Sequence, residues 1–273
     1  MSELLRLLPP IRRMRGNRLY AADGRRFLDL WLDDGRGILG HRDRLARTAA
    51  ANAADKGLLR PYPGLYDARL AKSVSSAWPG FGTVRAFESD ERAVQAAGRV
   101  AARIEAQSSG SSSIQVGGQR REPYLARPFA PVPDGLDLVM PRLPCPRPFA
   151  PACLAARDGS PAAQALAAEP GDLVSAQACL AAARGLASLG SAAADGYDET
   201  LWKRFDRRMA AFFEREGPYL RARVPSERYE AFFRAALTGG ALVSPEPGSP
   251  SVVPPEFDDG ELVKLARSLE SSL

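Results

Sequence analysis

His41 is the only histidine in this 273-residue chain, and its three cysteines, Cys145, Cys153 and Cys179, are odd in number and never spaced CxxC. That scarcity excludes a zinc site and a disulfide framework, and predicts three buried thiols in a reducing cytoplasm. No apolar run reaches the roughly 18 residues that span a bilayer, so no membrane partner is expected. The opening MSELLRLLPP, with an acidic head and an early proline stop, does not read as a signal peptide. Lysine is scarce as well: only Lys56, Lys72, Lys203 and Lys264 stand among the 37 basic residues. The net charge of +5 is dispersed rather than gathered into a block. The arginine and alanine bias reads as coding-sequence composition, so nucleic acid is not an expected partner.

What is present suits a soluble protein with one substantial core or two modest ones: 45% of residues are hydrophobic and 25% charged. Leu4 to Leu8 is expected to form a short helical turn. In GNRLYAADGRRFLDLWLDDGRGILGH, alternating residues around Leu19 and Tyr20 lead to an Asp23–Gly24 turn, and Phe27, Leu28 and Leu30 resume the strand. Helices are predicted from Asp43 to about Lys56, closed by Gly57, and from Ala68 to Ala77. QSSGSSSIQVGGQ has the composition of a linker. DGLDLVMP and ACLAA read as strands, and LVSAQACLAAARGLASL as a helix buried on several sides. Leu201, Phe205, Met209, Phe212 and Phe213 fall at helical spacing, which predicts one amphipathic helix over Tyr197 to Glu216. A helix from Ser226 to Leu237, a TGG turn, a strand at ALVSP, a proline loop and a last helix from Asp258, capped by Asp or Gly, complete the chain.

The stretch VRAFESDERAVQAAGRVAARIE, Val84 to Glu105, runs from a strand straight into a helix. Such a helix N-terminus attracts anions, yet Glu88, Asp90 and Glu91 crowd it. Carboxylates there favour the helix, and Ser89 or Asp90 can cap it. They repel a phosphate.

In order along the chain, these pieces resemble the class III PLP-dependent aminotransferases, the group that includes glutamate-1-semialdehyde aminomutase. LYAADGRRFLDLWLDDGRGILGH is similar to the family's N-terminal hairpin, with Asp29, Gly35, Gly37, Gly40 and His41 in place. FESDERAVQAAGRVAAR is similar to the N-S-G-T-E-A run whose loop holds the cofactor phosphate. GDLVSAQACLAAARGLASL resembles the N-P-L-A-x-A-A-A helix. The resemblance implies an α/β chain of reduced PLP-dependent transferase fold (fold type I), with a truncated mixed sheet flanked by helices plus a small α+β domain. It divides the chain into an N-terminal segment with the hairpin (1–57), a reduced large domain (58–190) and a C-terminal small domain (191–273).

The departures from the family carry the functional expectation. Ser89 matches the family serine, but Asp90 replaces the glycine and Glu91 the threonine, so the cofactor-binding positions Ser89, Asp90 and Glu91 are degenerate. The Schiff-base lysine position falls on Arg142 or Leu143, and a guanidinium forms no internal aldimine. Between the helix that ends near Glu105 and Asp137, the family stretch that stacks on and pairs with the pyridine ring is replaced by the Ser/Gly linker and REPYLARPFAPVP. The three strands that can still be placed lie next to one another in the family's sheet. Proline-rich loops at Pro128–Pro133 and Pro141–Pro151 are expected to protect the edge that the deletion exposes.

The expectation is therefore a degenerate aminotransferase-like protein without a cofactor, acting in binding or scaffolding as a homodimer or with a full-length relative. One alternative is an enzyme on small amino compounds that recognises their cationic end with Asp90 and Glu91. Another is a class III aminotransferase or aminomutase using PLP, with the site around Lys56, Lys72 or Lys203. His41 is expected to cap or pack, Asp33, Asp34 and Arg36 to form a surface loop, and Cys145 to be inert. The aromatic series Trp202, Phe205, Phe212, Phe213, Tyr219, Tyr229, Phe232 and Phe233 is expected to be mostly core.

Overall fold

The computed structural model describes residues 3–41, 44–107, 123–147 and 150–271, so most of the linker-like stretch after Gln107 lies outside the described residues. After a 3₁₀ turn at Glu3–Leu7 come strands β1 (Ile11–Arg15), β2 (Arg18–Ala21) and β3 (Arg26–Asp29). Helices α1 (Arg44–Asp55) and α2 (Tyr66–Ala77), strand β4 (Thr83–Phe87) and helix α3 (Asp90–Gln107) follow. Three strands come next: β5 (Tyr124–Ala126), β6 (Leu138–Pro141) and β7 (Ala152–Ala156). Helices α4 (Pro161–Ala167), α5 (Ala176–Ala194) and α6 (Glu199–Met209) precede strands β8 (Phe213–Glu216) and β9 (Tyr219–Ala222). Helix α7 (Tyr229–Thr238), the short strands β10 (Ala241–Leu242) and β11 (Ser251–Val252), and helix α8 (Asp259–Glu270) complete the order. No helix among the described residues is long and apolar enough to cross a membrane.

The chain divides into two units, Met1–Asp43 with Gly190–Leu273, and Arg44–Leu189. The second unit holds a four-stranded mixed sheet in the order β4-β7-β6-β5, with β7 antiparallel to both β4 and β6 and β5 parallel to β6. The three strands expected from sequence, β4, β6 and β7, are adjacent. Strand β5 forms the edge of the sheet beside β6, and its three residues make it very short, which limits pairing with another chain.

The small residues Ala93, Ala96, Ala97, Val100 and Ile104 recur at helical spacing along α3, so that face packs closely against Phe87, Leu138 and Leu154 of the sheet. Helix α4 completes this layer with Ala162, Ala163 and Leu166. Its start was not anticipated, although the signal is local: Ser160 accepts the Ala163 N–H at 3.1 Å and Pro161 occupies the first turn. Glu169, just beyond α4, is buried and lies 2.7 Å from Arg103 and 2.5 Å from Arg99 of α3. Helix α5 is buried on several sides, as its composition predicts, and approaches the β6–β7 connection so closely that a Cβ on Gly185 would overlap the Pro144 carbonyl oxygen. All three cysteines are buried thiols, and burial pushes that of Cys153 up to about 12.

In the first unit, β2 and β3 form the expected hairpin, and β10 joins β3 in parallel to give the order β1-β2-β3-β10. A second sheet runs β11-β9-β8. The predicted single helix over Tyr197 to Glu216 is corrected here: α6 ends at Met209 and Phe213–Glu216 becomes strand β8. Gly217, at φ +56°, permits the tight turn into β9, and Phe213 pairs with Ala222 and packs edge-on to Phe232 at 5.5 Å. Cross-strand pairing thus overrides the local helical period. The eight aromatics of the series are all buried.

Helix α8 begins at the expected Asp258 cap, and Glu261 accepts the Asp258 N–H at 3.0 Å. Glu261 also takes a bidentate pair from Arg18 of β2 at 2.8 and 2.9 Å. Burial tends to raise the Glu261 carboxyl, but these hydrogen bonds outweigh it and hold the group below its usual 4.5.

Two outcomes are expected. Gly185→Ala lowers stability by about 1–3 kcal/mol through overpacking, and an unchanged urea midpoint would refute the close approach of α5. The depressed carboxyl of Glu261 contributes stability above its unfolded value that is lost as pH falls. Glu261→Gln is therefore less stable than wild type at pH 7 and loses less stability between about pH 5 and pH 3, as melting curves across that range would record.

Candidate functional site

The turn from β4 into α3 is built by Glu88 and Ser89. The Ser89 hydroxyl accepts the Arg92 N–H at 3.3 Å, so serine supplies the cap and engages one of the first helical N–H groups. Asp172, from the stretch between α4 and α5, lies against the same turn. It accepts the Glu88 N–H at 3.1 Å and a two-point pair from the Arg92 guanidinium. That pair holds the Asp172 carboxyl below its ordinary range. Glu91 is exposed, and its carboxyl is held low first by the Ser89 hydroxyl and then by its own N–H, with Arg147 adding a smaller attraction.

Asp90 is the first residue of α3, and its Oδ2 lies 3.1 Å from Nη1 of Arg142. Arg142 directly follows β6, where its N–H donates to the Ala126 carbonyl at 2.7 Å and so continues the pairing of β5 with β6. Its side chain is only 7% exposed, against 33% for Asp90. Leu143 is fully buried. Two of the singled-out positions, Asp90 and Arg142, are therefore brought into contact from 52 residues apart, while Ser89 and Glu91 serve the helix start and Leu143 the core.

Beside this turn opens a cleft of about 250 Å³ lined by Pro61, Glu88, Arg147, Pro151, Leu173 and Ser175, among others. That is below the usual range of small-molecule pockets. The four lysines are exposed: Lys56 after α1 and Lys72 on α2 in this unit, Lys203 on α6 and Lys264 on α8 in the other. Among the described residues no group of three or more His, Cys, Asp and Glu is placed to hold a metal ion.

His41 packs in the first unit. Its Nε2 lies 3.0 Å from Oδ2 of Asp29, and its N–H donates to the Gly16 carbonyl at 2.8 Å. The other Asp29 oxygen accepts the N–H groups of Trp31 and Leu32 at 2.9 and 2.8 Å. These bonds hold a turn in which Leu32, Asp33, Asp34 and Gly35 all have positive φ. Arg36 within this loop is buried, which corrects the surface-loop expectation for that residue: the turn folds back and carries its guanidinium inward.

What sequence reasoning missed was Asp172. It stands in the GDLV stretch with no motif of its own, and only the approach of that stretch to the edge of β4 reveals its part. The Asp172 N–H donates to the Ala86 carbonyl at 2.9 Å.

No family model matches the chain. An uncharacterized protein of Treponema pallidum is 32% identical over 292 residues, covering 93% of this chain and 91% of that protein. A glutamate-1-semialdehyde 2,1-aminomutase of Exiguobacterium sibiricum is 35% identical over 89 residues, which is 33% of this chain and only 20% of that enzyme. Among solved structures, the N-acetylornithine aminotransferase of Stenotrophomonas maltophilia superposes with a TM-score of 0.67 at 15% identity, covering 98% of this chain and 97% of that one. The structural neighbours are class III aminotransferases, and the α/β architecture with its mixed sheets matches the PLP-dependent transferase fold. The chain thus belongs to one family with the Treponema pallidum protein, built on the fold of the class III aminotransferases.

Proposed function

We propose that this protein is a reduced aminotransferase-like chain that has lost PLP-dependent transamination and serves in binding or scaffolding, associating with a second copy of itself in the cytoplasm. One observation carries the reading. Where the sequence resemblance expects the Schiff-base lysine, Arg142 is buried and paired with Asp90. An imine requires a primary amine that can lose its proton, and a guanidinium stays protonated. At the phosphate position, two carboxylates replace a glycine and a hydroxyl, and Ser89 already engages a helical N–H. The residues present do not fit pyridoxal phosphate.

The fold favours a second reading, an aminotransferase or aminomutase acting on amino compounds. It requires one of the four exposed lysines to reach the cofactor, and none stands at the β4–α3 turn. Recognition of an ammonium group by Asp90 is opposed by the engagement of that carboxylate with Arg142.

Self-association is supported by an exposed apolar loop, with Leu59 52%, Tyr62 72% and Leu65 87% exposed. Large apolar side chains exposed on one loop are a feature of interaction sites when they form a shared patch.

An absorbance titration with PLP is expected to give no borohydride-sensitive band, and a band mapped to a single lysine would return the chain to the active aminotransferases. In sedimentation at micromolar concentration a dimer is expected, with Tyr62→Ser combined with Leu65→Ser shifting it to monomer. A monomeric wild type would remove the self-association reading.

A further inference from the structure

We infer that the Asp90–Arg142 pair is an internal replacement for the cofactor: the carboxylate stands for the phosphate at the start of α3, and the guanidinium stands for the lysine after β6. This rests on the proposed loss of PLP and goes further, because it assigns the pair a positive role. In a cofactor-dependent site of this fold, a bound ligand would link the helix start to the strand end. Here the link belongs to the chain itself, over 3.1 Å between side chains 52 residues apart in sequence.

Three observations support it. Arg142 is more than nine-tenths buried, and a guanidinium in that position needs an anion. The anion it meets stands on the first residue of α3, where the helix favours negative charge. Arg142 is also held at its backbone by the Ala126 carbonyl, so the guanidinium is presented from the sheet and not from a loop tip. Asp90 therefore acts as a resident anion, standing 3.1 Å from Nη1 of the buried cation and excluding an external phosphate from it.

The test combines a double-mutant cycle with a phosphate titration. Asp90→Asn, Arg142→Gln and the double variant are compared by urea unfolding. The expected coupling is on the order of tenfold in the folding equilibrium, because the second substitution costs little once the first has broken the pair. Should Arg142→Gln fail to fold, Arg142→Met, which removes the charge and fills similar volume, provides the cycle. In parallel, the melting temperature is followed against inorganic phosphate. Asp90→Gly, which leaves the guanidinium facing the helix start, is expected to rise with phosphate, while wild type and Asp90→Gly/Arg142→Gln do not.

Strictly additive single substitutions, or equal phosphate stabilisation of wild type and Asp90→Gly, would overturn the inference. Neither result produces a PLP adduct, so the loss of transamination would still stand. A borohydride-sensitive adduct on wild type would instead overturn the functional reading on which the inference rests.

Discussion

A buried guanidinium must be matched by an anion, and in the second unit the end of β6 and the start of α3 meet that requirement. Arg142 leaves the end of β6 in a largely buried position, and Asp90 meets it from the start of α3. Burying the cation unpaired would cost several kcal/mol. On the proposed reading, the arginine at the expected lysine position and the acid at the expected glycine position form one compensated change, because the two side chains meet.

Arginine–carboxylate pairs recur through the molecule, with mostly buried guanidinium groups on Arg18 and Arg215 and exposed ones on α3. Arg92 grips Asp172 across the β4–α3 turn, and Arg99 and Arg103 of α3 converge on the buried Glu169 beyond α4. Arg18 of β2 holds Glu261 at the start of α8, and Arg215 of β8 bridges Asp206 and Glu199 of α6, each at 2.7 Å. In every case the pair joins elements that are separate in the fold. The planar fork of arginine suits such two-point links better than the single ammonium of lysine. Composition alone suggested a coding bias, but many of the residues it concerns are structural clamps.

Much of the fold was legible because its signals are local. Gly57 closes α1 at φ +72°, the Asp23–Gly24 turn sits between β2 and β3, and Asp258 opens α8. Strands β4, β6 and β7 showed their apolar runs. Other elements were not legible, for physical reasons. Strand β1 is arginine-rich and exposed on both faces, and β5 has three residues and is defined by pairing with β6. Strand β8 carries a helical period that only pairing with β9 overrides. At the site, the unusual residues Ser89, Asp90, Glu91 and Arg142 could be named from sequence, but not the contact between two of them or the role of Asp172.

By itself, the sequence determined the chemistry that each position can offer. It set the acids at the head of α3, an arginine rather than a lysine after β6, three cysteines without CxxC spacing and the small-residue faces that let helices approach a sheet. These are properties of residue types and short spacings, and they survive any folding of the rest. Only the tertiary structure decided which charges meet. The β4–α3 turn and the end of β6 lie far apart along the chain, and sheet order brings them to 3.1 Å. An ion pair is decided by distance and burial, and neither is written in the local sequence.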